Sequence, residues 1–318
     1  MPLPSDLLDL LLSPPPAAQD CPDVAAWWPV HQRTVQRWSR PIERAIGGGA
    51  VADRAGWAFA SGYQAALRAL LPELPDDTVA AMCVTEEAGN QPKAIRSTLS
   101  QGGLGSLRLD GSKRWTTLGP ASGLLLVAAV DARAPATGRP QIRVVRVPAV
   151  APGVSLDPMP ATRFVPEVPH ARLRFEGVSL PQEALLPGDG YDAYVKPFRS
   201  IEDTQVSAAV LAYLLAESLR RGWARDWSER ALAVLLAFSA LAETDPRAPS
   251  THLALTGALA WAHALFAEAG TLFAQGPQDA SAERWARDAT LMQVAGAVRA
   301  QRAARAWERI AARTAPTR

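Results

Sequence analysis

"MCVTEEAGNQPKAI", residues 82–95, sets a strand-like apolar run against Thr85, two acids and a break at Ala88-Gly89-Asn90, with no phosphate-binding glycine loop. Such a stretch is either a plain turn or the lip of a ligand site built from backbone N–H groups and one hydroxyl. The segments downstream continue in strand grammar. "SLRLDGSKRWTT" (106–117) alternates around Asp110-Gly111, a pair suited to a tight hairpin because glycine accepts positive φ. "GLLLVAAV" (123–130), "QIRVVRV" (141–147) and "ARLRFEGVSL" (171–180) read as further strands, with a Pro/Gly-bearing loop at 131–140. Strands at this spacing without helices between them predict a small antiparallel barrel or sandwich, not a parallel sheet.

Both flanks read as helix. From Asp6 to about Leu74 the pattern is helical, cut by "SPPP" (13–16) and by Gly47-Gly48-Gly49. Phe59, Tyr63, Ala66 and Leu70 share one helix face, and Pro72 and Pro75 end that helix. From Ser200 onward four helices are expected, at 201–221, 227–243, 250–274 and 281–312. The third keeps Leu255, Leu259, Ala262, Phe266, Ala269 and Phe273 on a bundle seam. Asp245-Pro246 and Gly276-Pro277 mark turns between them. The predicted organisation is an N-terminal helical region (1–76), a β domain (77–186) and a C-terminal four-helix bundle (187–318).

Composition narrows the function classes. The 318 residues are 48% hydrophobic and 20% charged, which is globular and not disordered. A formal net charge of +2 gives no global push toward nucleic acid or a membrane surface. Arg302, Arg305, Arg309 and Arg313 form one basic stripe, but Glu283, Asp288 and Glu308 dilute it and no aromatic interleaving suggests base stacking. Cys21 and Cys83 make no disulfide framework, and the four histidines show no metal-ligand spacing. The N-terminus is a poor signal peptide, and the longest apolar stretch, 231–242, falls short of the roughly 20 residues of a membrane span. These features predict a cytoplasmic protein.

The order of segments and three local motifs resemble the acyl-CoA dehydrogenases. "CVTEEAGNQPKAI" is similar to that family's Thr-Glu-Pro-Gly-Ala-Gly-Ser-Asp strand end, "LDGSKRWTT" to its Asn-Gly-x-Lys-x-Trp-Ile-Thr run, and "ARLRFEGVSLPQEALL" to the strand leaving its β domain. The resemblance covers about residues 55–310. It implies a flavin ring held at the strand end formed by Cys83, Val84, Thr85, Gly89 and Asn90. Thr85 and nearby backbone would face the pyrimidine side, Trp115 would stack on the ring, and Thr117 would donate near N5. It further implies α,β-dehydrogenation of an acyl-CoA or acyl-carrier thioester in fatty acid metabolism, transfer to an electron-transfer flavoprotein or oxygen, and a homodimer or homotetramer with Trp223, Trp227 and Trp261 as anchors.

The sequence departs from that pattern at specific places. The family's Gly-Ala-Gly-Ser becomes Ala88-Gly89-Asn90, one residue shorter. "RRGWARDWSERALA" holds none of the diphosphate-contacting Arg, Phe-Gly and Gln of the family. The Gly-Gly loop and final helix, which carry the catalytic glutamate in most members, have no counterpart before Arg318. The implied site is therefore an incomplete FAD site at which FMN is an alternative. Some branches place the base near the start of the first bundle helix, where "FRSIEDTQVSAAVLA" offers Glu202. Ser200 with Asp203 reads as a capping box that does not require Glu202, and Ser207, Ala208 and Ala209 are small enough to let a substrate lie close. The alternative is a non-catalytic scaffold or partner-binding protein that has lost full FAD binding.

Overall fold

The computed structural model describes residues 2–13, 19–134 and 138–314. Residues 14–16 of the "SPPP" break, part of the 131–140 loop and the chain end at Arg318 lie outside these. The chain divides into two compact units. A helical one comprises Met1–Ala69, Thr162–Pro166 and Ser200–Arg318, and one built on a sheet comprises Leu70–Ala161 and Glu167–Arg199.

The sheet unit holds β1 (Ala80–Cys83), β2 (Thr98–Gln101), β3 (Leu107–Thr117), β4 (Leu124–Asp131), β5 (Ile142–Pro148), β6 (Val154–Pro158) and β7 (His170–Leu180). They form one curled sheet in the order β1-β4-β2-β3-β7-β6, with β5 also paired to β4. Period-two patterning builds it: on β7, Leu173 and Phe175 point into a core with Leu99, Leu109 and Val127, while Arg172, Arg174 and Glu176 face out. Pairing is antiparallel except that β1 and β2 both run parallel to β4. Cys83 pairs with Val127 and Thr98 with Val130, so β1 and β2 are two segments of one edge, and residues 84–97 loop out between them. That is why the opening stretch stops so abruptly after Thr85.

Asp110-Gly111 is not a hairpin turn, contrary to expectation. β3 runs straight through it with a bulge, where Gly111 takes φ +135° and a Cβ would lie 2.5 Å from Ser97. Glycine serves a close approach there, not a reversal.

The helical unit is built on α1 (Ser5–Leu12), α2 (Val24–Val35), α3 (Pro41–Ala50), α4 (Ala55–Leu70), α5 (Lys196–Arg221), α6 (Arg225–Leu241), α7 (Pro249–Gln275), α8 (Ala280–Asp288) and α9 (Gly296–Thr314), the last residue of α4 and the first four of α5 being counted with the sheet unit. Every residue of the predicted α7 seam is buried. Gly47-Gly48-Gly49 does not cut a helix; it is the buried end of α3. A Cβ on Gly47 would meet the Trp38 ring, one on Gly48 would meet Ser61 and His31, and one on Gly49 would lie 2.1 Å from the Ala209 carbonyl oxygen of α5. Gly62 of α4 approaches Val206 of α5 in the same way. Helix propensity favours Gly49→Ala by about 1 kcal/mol, whereas overpacking costs about 1–3 kcal/mol. With backbone as the obstacle, packing wins: Gly49→Ala is expected to lower the midpoint of chemical denaturation.

Three further expectations change. A π-helical turn at Tyr191–Val195 runs into α5, so Ser200 lies inside the helix and there is no capping box. Asp203 instead binds α9, with Arg299 Nε at 2.9 Å and an Arg302 terminal nitrogen at 2.7 Å; Arg302 also donates to Ser200 Oγ at 3.1 Å. The predicted fourth helix is broken into α8 and α9 by a 3₁₀ turn at Ala289–Gln293. At the break the buried Asp288 accepts the Val165 N–H at 2.8 Å, and Arg299 donates to the Met292 carbonyl at 2.8 Å. Trp227 is buried, with Trp223 edge-on to it at 5.0 Å and to Phe273 at 5.2 Å, so of the three expected anchors only Trp261 is exposed. Among the described residues no helix is long and apolar enough to cross a membrane.

Candidate functional site

The two motif stretches meet in the sheet unit. The Arg114 N–H donates to the Thr85 carbonyl at 2.9 Å, bringing the end of β1 beside the end of β3. One residue further, Glu86 closes the neck of the 84–97 loop. Its carboxylate accepts the amides of Arg96 (2.8 Å) and Ser97 (3.0 Å), the Ser97 hydroxyl (2.8 Å) and the buried Lys113 ammonium (2.5 Å). Burial alone would raise the Glu86 carboxyl, but Lys113 and the two amides hold it below the usual carboxylate range. Lys113 Nζ also lies 3.5 Å from the Val84 carbonyl.

At the loop tip, Glu86 and Gly89 exchange backbone hydrogen bonds of 2.9 and 3.0 Å across Glu87-Ala88, and Gly89 takes φ +114°. The Gly89 amide is consumed by this turn. Asn90 is exposed, while Thr85 and Val84 are half-buried. Cys83 sits in the core, where burial pushes its thiol up to about 12 and keeps it protonated.

Trp115 is the unusual residue. It adopts φ +56° at the second register shift of β3, and the residue is 44% exposed. A bulky residue in the left-handed region is a strained arrangement of the kind that gathers at functional sites. Among the described residues its amide has a thioether as its acceptor, Met159 Sδ at 3.3 Å. Its ring lies edge-on to His170 at 5.9 Å, with the Arg114 guanidinium 5.8 Å from its centroid. The Thr117 hydroxyl is 3.4 Å from His170 Nε2. Burial lowers the His170 pKa, which favours a neutral imidazole there. Met159 and His170 are joined by a 2.9 Å backbone bond, so β6 and β7 fix the surroundings of both Trp115 and Thr117.

Thr85, Trp115 and Thr117 therefore share one end of the sheet, and Glu202 stands half-buried on α5 in the helical unit. Ser207, Ala208 and Ala209 do not form an open substrate path: all three are buried, and Ala209 abuts Gly49. Sequence reasoning missed His170 and Met159. His170 pairs with Thr117 in the ladder, a relation that no local pattern reveals. An exposed indole face, a weakly engaged amide and a neutral hydroxyl–imidazole pair suit a planar heterocycle bearing carbonyl oxygens. Among the described residues no cluster of three or more His, Cys, Asp or Glu is placed to hold a metal ion.

Residues 81–178 match the model of the acyl-CoA dehydrogenase middle domain. No curated protein matches the sequence significantly. Solved structures share the fold. Butyryl-CoA dehydrogenase from Megasphaera elsdenii is 16% identical with a TM-score of 0.69, covering 90% of each chain. FMN-bound TdsC from Paenibacillus sp. A11-2 is 15% identical with a TM-score of 0.69, covering 89% of this chain and 90% of its own. A glutaryl-CoA dehydrogenase from Mycobacterium smegmatis in complex with FADH2 is 15% identical with a TM-score of 0.58, covering 95% and 92%. The resemblance read from the motifs is borne out: residues 81–178 match the acyl-CoA dehydrogenase middle domain, and the architecture is the acyl-CoA dehydrogenase fold.

Proposed function

We propose that this protein of acyl-CoA dehydrogenase fold is a flavin-dependent oxidoreductase acting on an acyl thioester, with the ring of FAD or FMN held against Trp115. The carrying observation is the strained, part-exposed Trp115, whose amide donates to a sulfur acceptor, Met159 Sδ. A ring carbonyl oxygen would be a better acceptor for that N–H than Met159 Sδ. Thr117, oriented by His170, would offer its hydroxyl to the edge of the ring, and the Thr85 side chain would border the pyrimidine side. A bound flavin supplies the hydride acceptor for dehydrogenation.

Glu202 is proposed as the base that takes the α-proton of the thioester while hydride leaves the β-carbon. The ring contacts do not depend on a diphosphate, so FMN is expected to bind about as well as FAD. FMN-bound TdsC and the FADH2 complex of the glutaryl-CoA dehydrogenase show that both forms of flavin occur on this fold. The electron acceptor would be an electron-transfer flavoprotein or oxygen, and the working form a homodimer or homotetramer.

Removing the indole tests the reading. Trp115→Ala is expected to weaken flavin binding by about 1–3 kcal/mol, the scale of base–aromatic stacking. Fluorescence titration of apoprotein measures it, and equal affinity in wild type and variant would remove Trp115 from the site. A second reading, a non-catalytic scaffold, is favoured by the Gly89 amide turned back on Glu86 and by the closed packing of Ser207–Ala209.

A further inference from the structure

A cavity of about 360 Å³ lies on the outer face of the sheet, where Lys113, Arg114, Arg172 and Arg174 meet Glu86 and Glu87. Trp115 and Thr117 take no part in its lining. Its size falls at the lower end of small-molecule pockets. Its origin is the alternation of β7, which places Arg172 and Arg174 on the same outward face two residues apart. Arg174 lies between Ser112 of β3 and Ser155 of β6, so neither neighbouring strand sets an acid opposite it. Asp157 is the register partner of Arg172, yet among the described residues neither guanidinium has an ion-pair or hydrogen-bond partner.

The remaining charges of the lining offset only one of these two cations. Lys113 and Glu86 neutralise one another on the buried side. Arg114 holds Glu87 at 2.5 Å, but the Glu87 side chain is 80% exposed and such a pair contributes little. Arg114 Nε, meanwhile, is buried with no acceptor. Glu176 is the one further acid in the lining. Two unpaired guanidiniums, a third with an orphaned donor and the Ser112 edge are the donor set that recognises phosphate oxygens.

We propose that this cavity binds a phosphate ester as its dianion, Arg172 and Arg174 providing the main contacts and Arg114 joining when Glu87 swings into solvent. A free phosphate ion would use the same guanidiniums, but the cavity is roomier than a bare ion needs. The organic group of an ester fills the rest.

Isothermal titration of the full chain with inorganic phosphate and, separately, glycerol 3-phosphate distinguishes the two sources. The ester is expected to bind and to bind more tightly than phosphate. The double variant R172Q/R174Q should weaken it about ten- to a hundredfold, the range for hydrogen bonds to charged groups. Glu87→Gln should strengthen it several-fold by releasing Arg114, and this variant carries the test even if the double variant folds poorly. Arg108→Gln is the control, since Arg108 pairs with Asp110 and does not line the cavity; its affinity should equal that of wild type. Absence of binding of either probe at millimolar concentration overturns the proposal, as does an unchanged affinity in R172Q/R174Q or in Glu87→Gln. Equal affinity for the two probes would overturn the ester and leave a phosphate-ion site.

Discussion

Glu202→Gln is expected to slow reduction of bound flavin by an acyl thioester by about 10²–10⁴, the usual contribution of a positioned base. The amide keeps the shape of the side chain and the helix beneath it and removes only the proton acceptor. Flavin affinity should not change, because Glu202 lies on α5 and is not a ring contact in the proposed site. Stopped-flow reduction, followed by bleaching of the oxidised flavin, reads the rate. Asp203→Asn is the neighbouring control, and the structure alters what it controls. Its carboxylate anchors Arg299 and Arg302 of α9, so the variant should melt earlier while reducing at the wild-type rate. An unchanged rate in Glu202→Gln would rule Glu202 out as the base. If no thioester reduces the flavin of wild type, the non-catalytic reading gains.

Lys113→Met is expected to destabilise the protein by about 3–5 kcal/mol, because it leaves Glu86 buried without its counter-charge. The Lys113 side chain is fully buried at the neck of the 84–97 loop. Pairing Lys113→Met with Glu86→Gln should recover much of the loss, since a buried ion pair replaced on both sides often costs little. The sign of the pH dependence follows from the lowered Glu86 pKa. Its stabilisation is present above the unfolded carboxylate pKa and is lost as pH falls through the lower folded value. Wild type and the double variant should therefore converge in stability under acid. Urea denaturation at neutral and acidic pH measures both effects, and a loss below about 1 kcal/mol in Lys113→Met would mean that the clasp is only a surface pair.

Strands with a two-residue alternation or an unbroken apolar run were legible in the sequence: β3, β4, β5 and β7 lie where the pattern puts them. β2 and β6 were not, because they are short and mostly half-exposed, with little apolar contrast between their faces. Glycine misled twice for one reason. Its freedom at positive φ and its lack of a Cβ are different properties, and a sequence does not say which is in use. At Gly49 the missing Cβ decides, because the α5 backbone occupies that space, whereas Gly111 uses both properties, a positive φ and a close approach to Ser97, inside a strand and not at a turn. Asp203 was misread as a cap because its partners lie on α9, far along the chain. In the candidate site, Thr85, Trp115 and Thr117 were found through motifs. His170 was found only through the register that sets it against Thr117. Glu86 and Lys113 stood in those same motifs, and only the structure shows that they bind each other.

Visible absorption during titration of apoprotein with FMN and with FAD tests the flavin ring proposed at the sheet end around Trp115. Saturable, ring-perturbed flavin bands are expected with both, at affinities within about tenfold of each other, since in the proposed site ring contacts and not the dinucleotide tail supply the binding. Flavin spectra that remain those of the free cofactor at every protein concentration would contradict it.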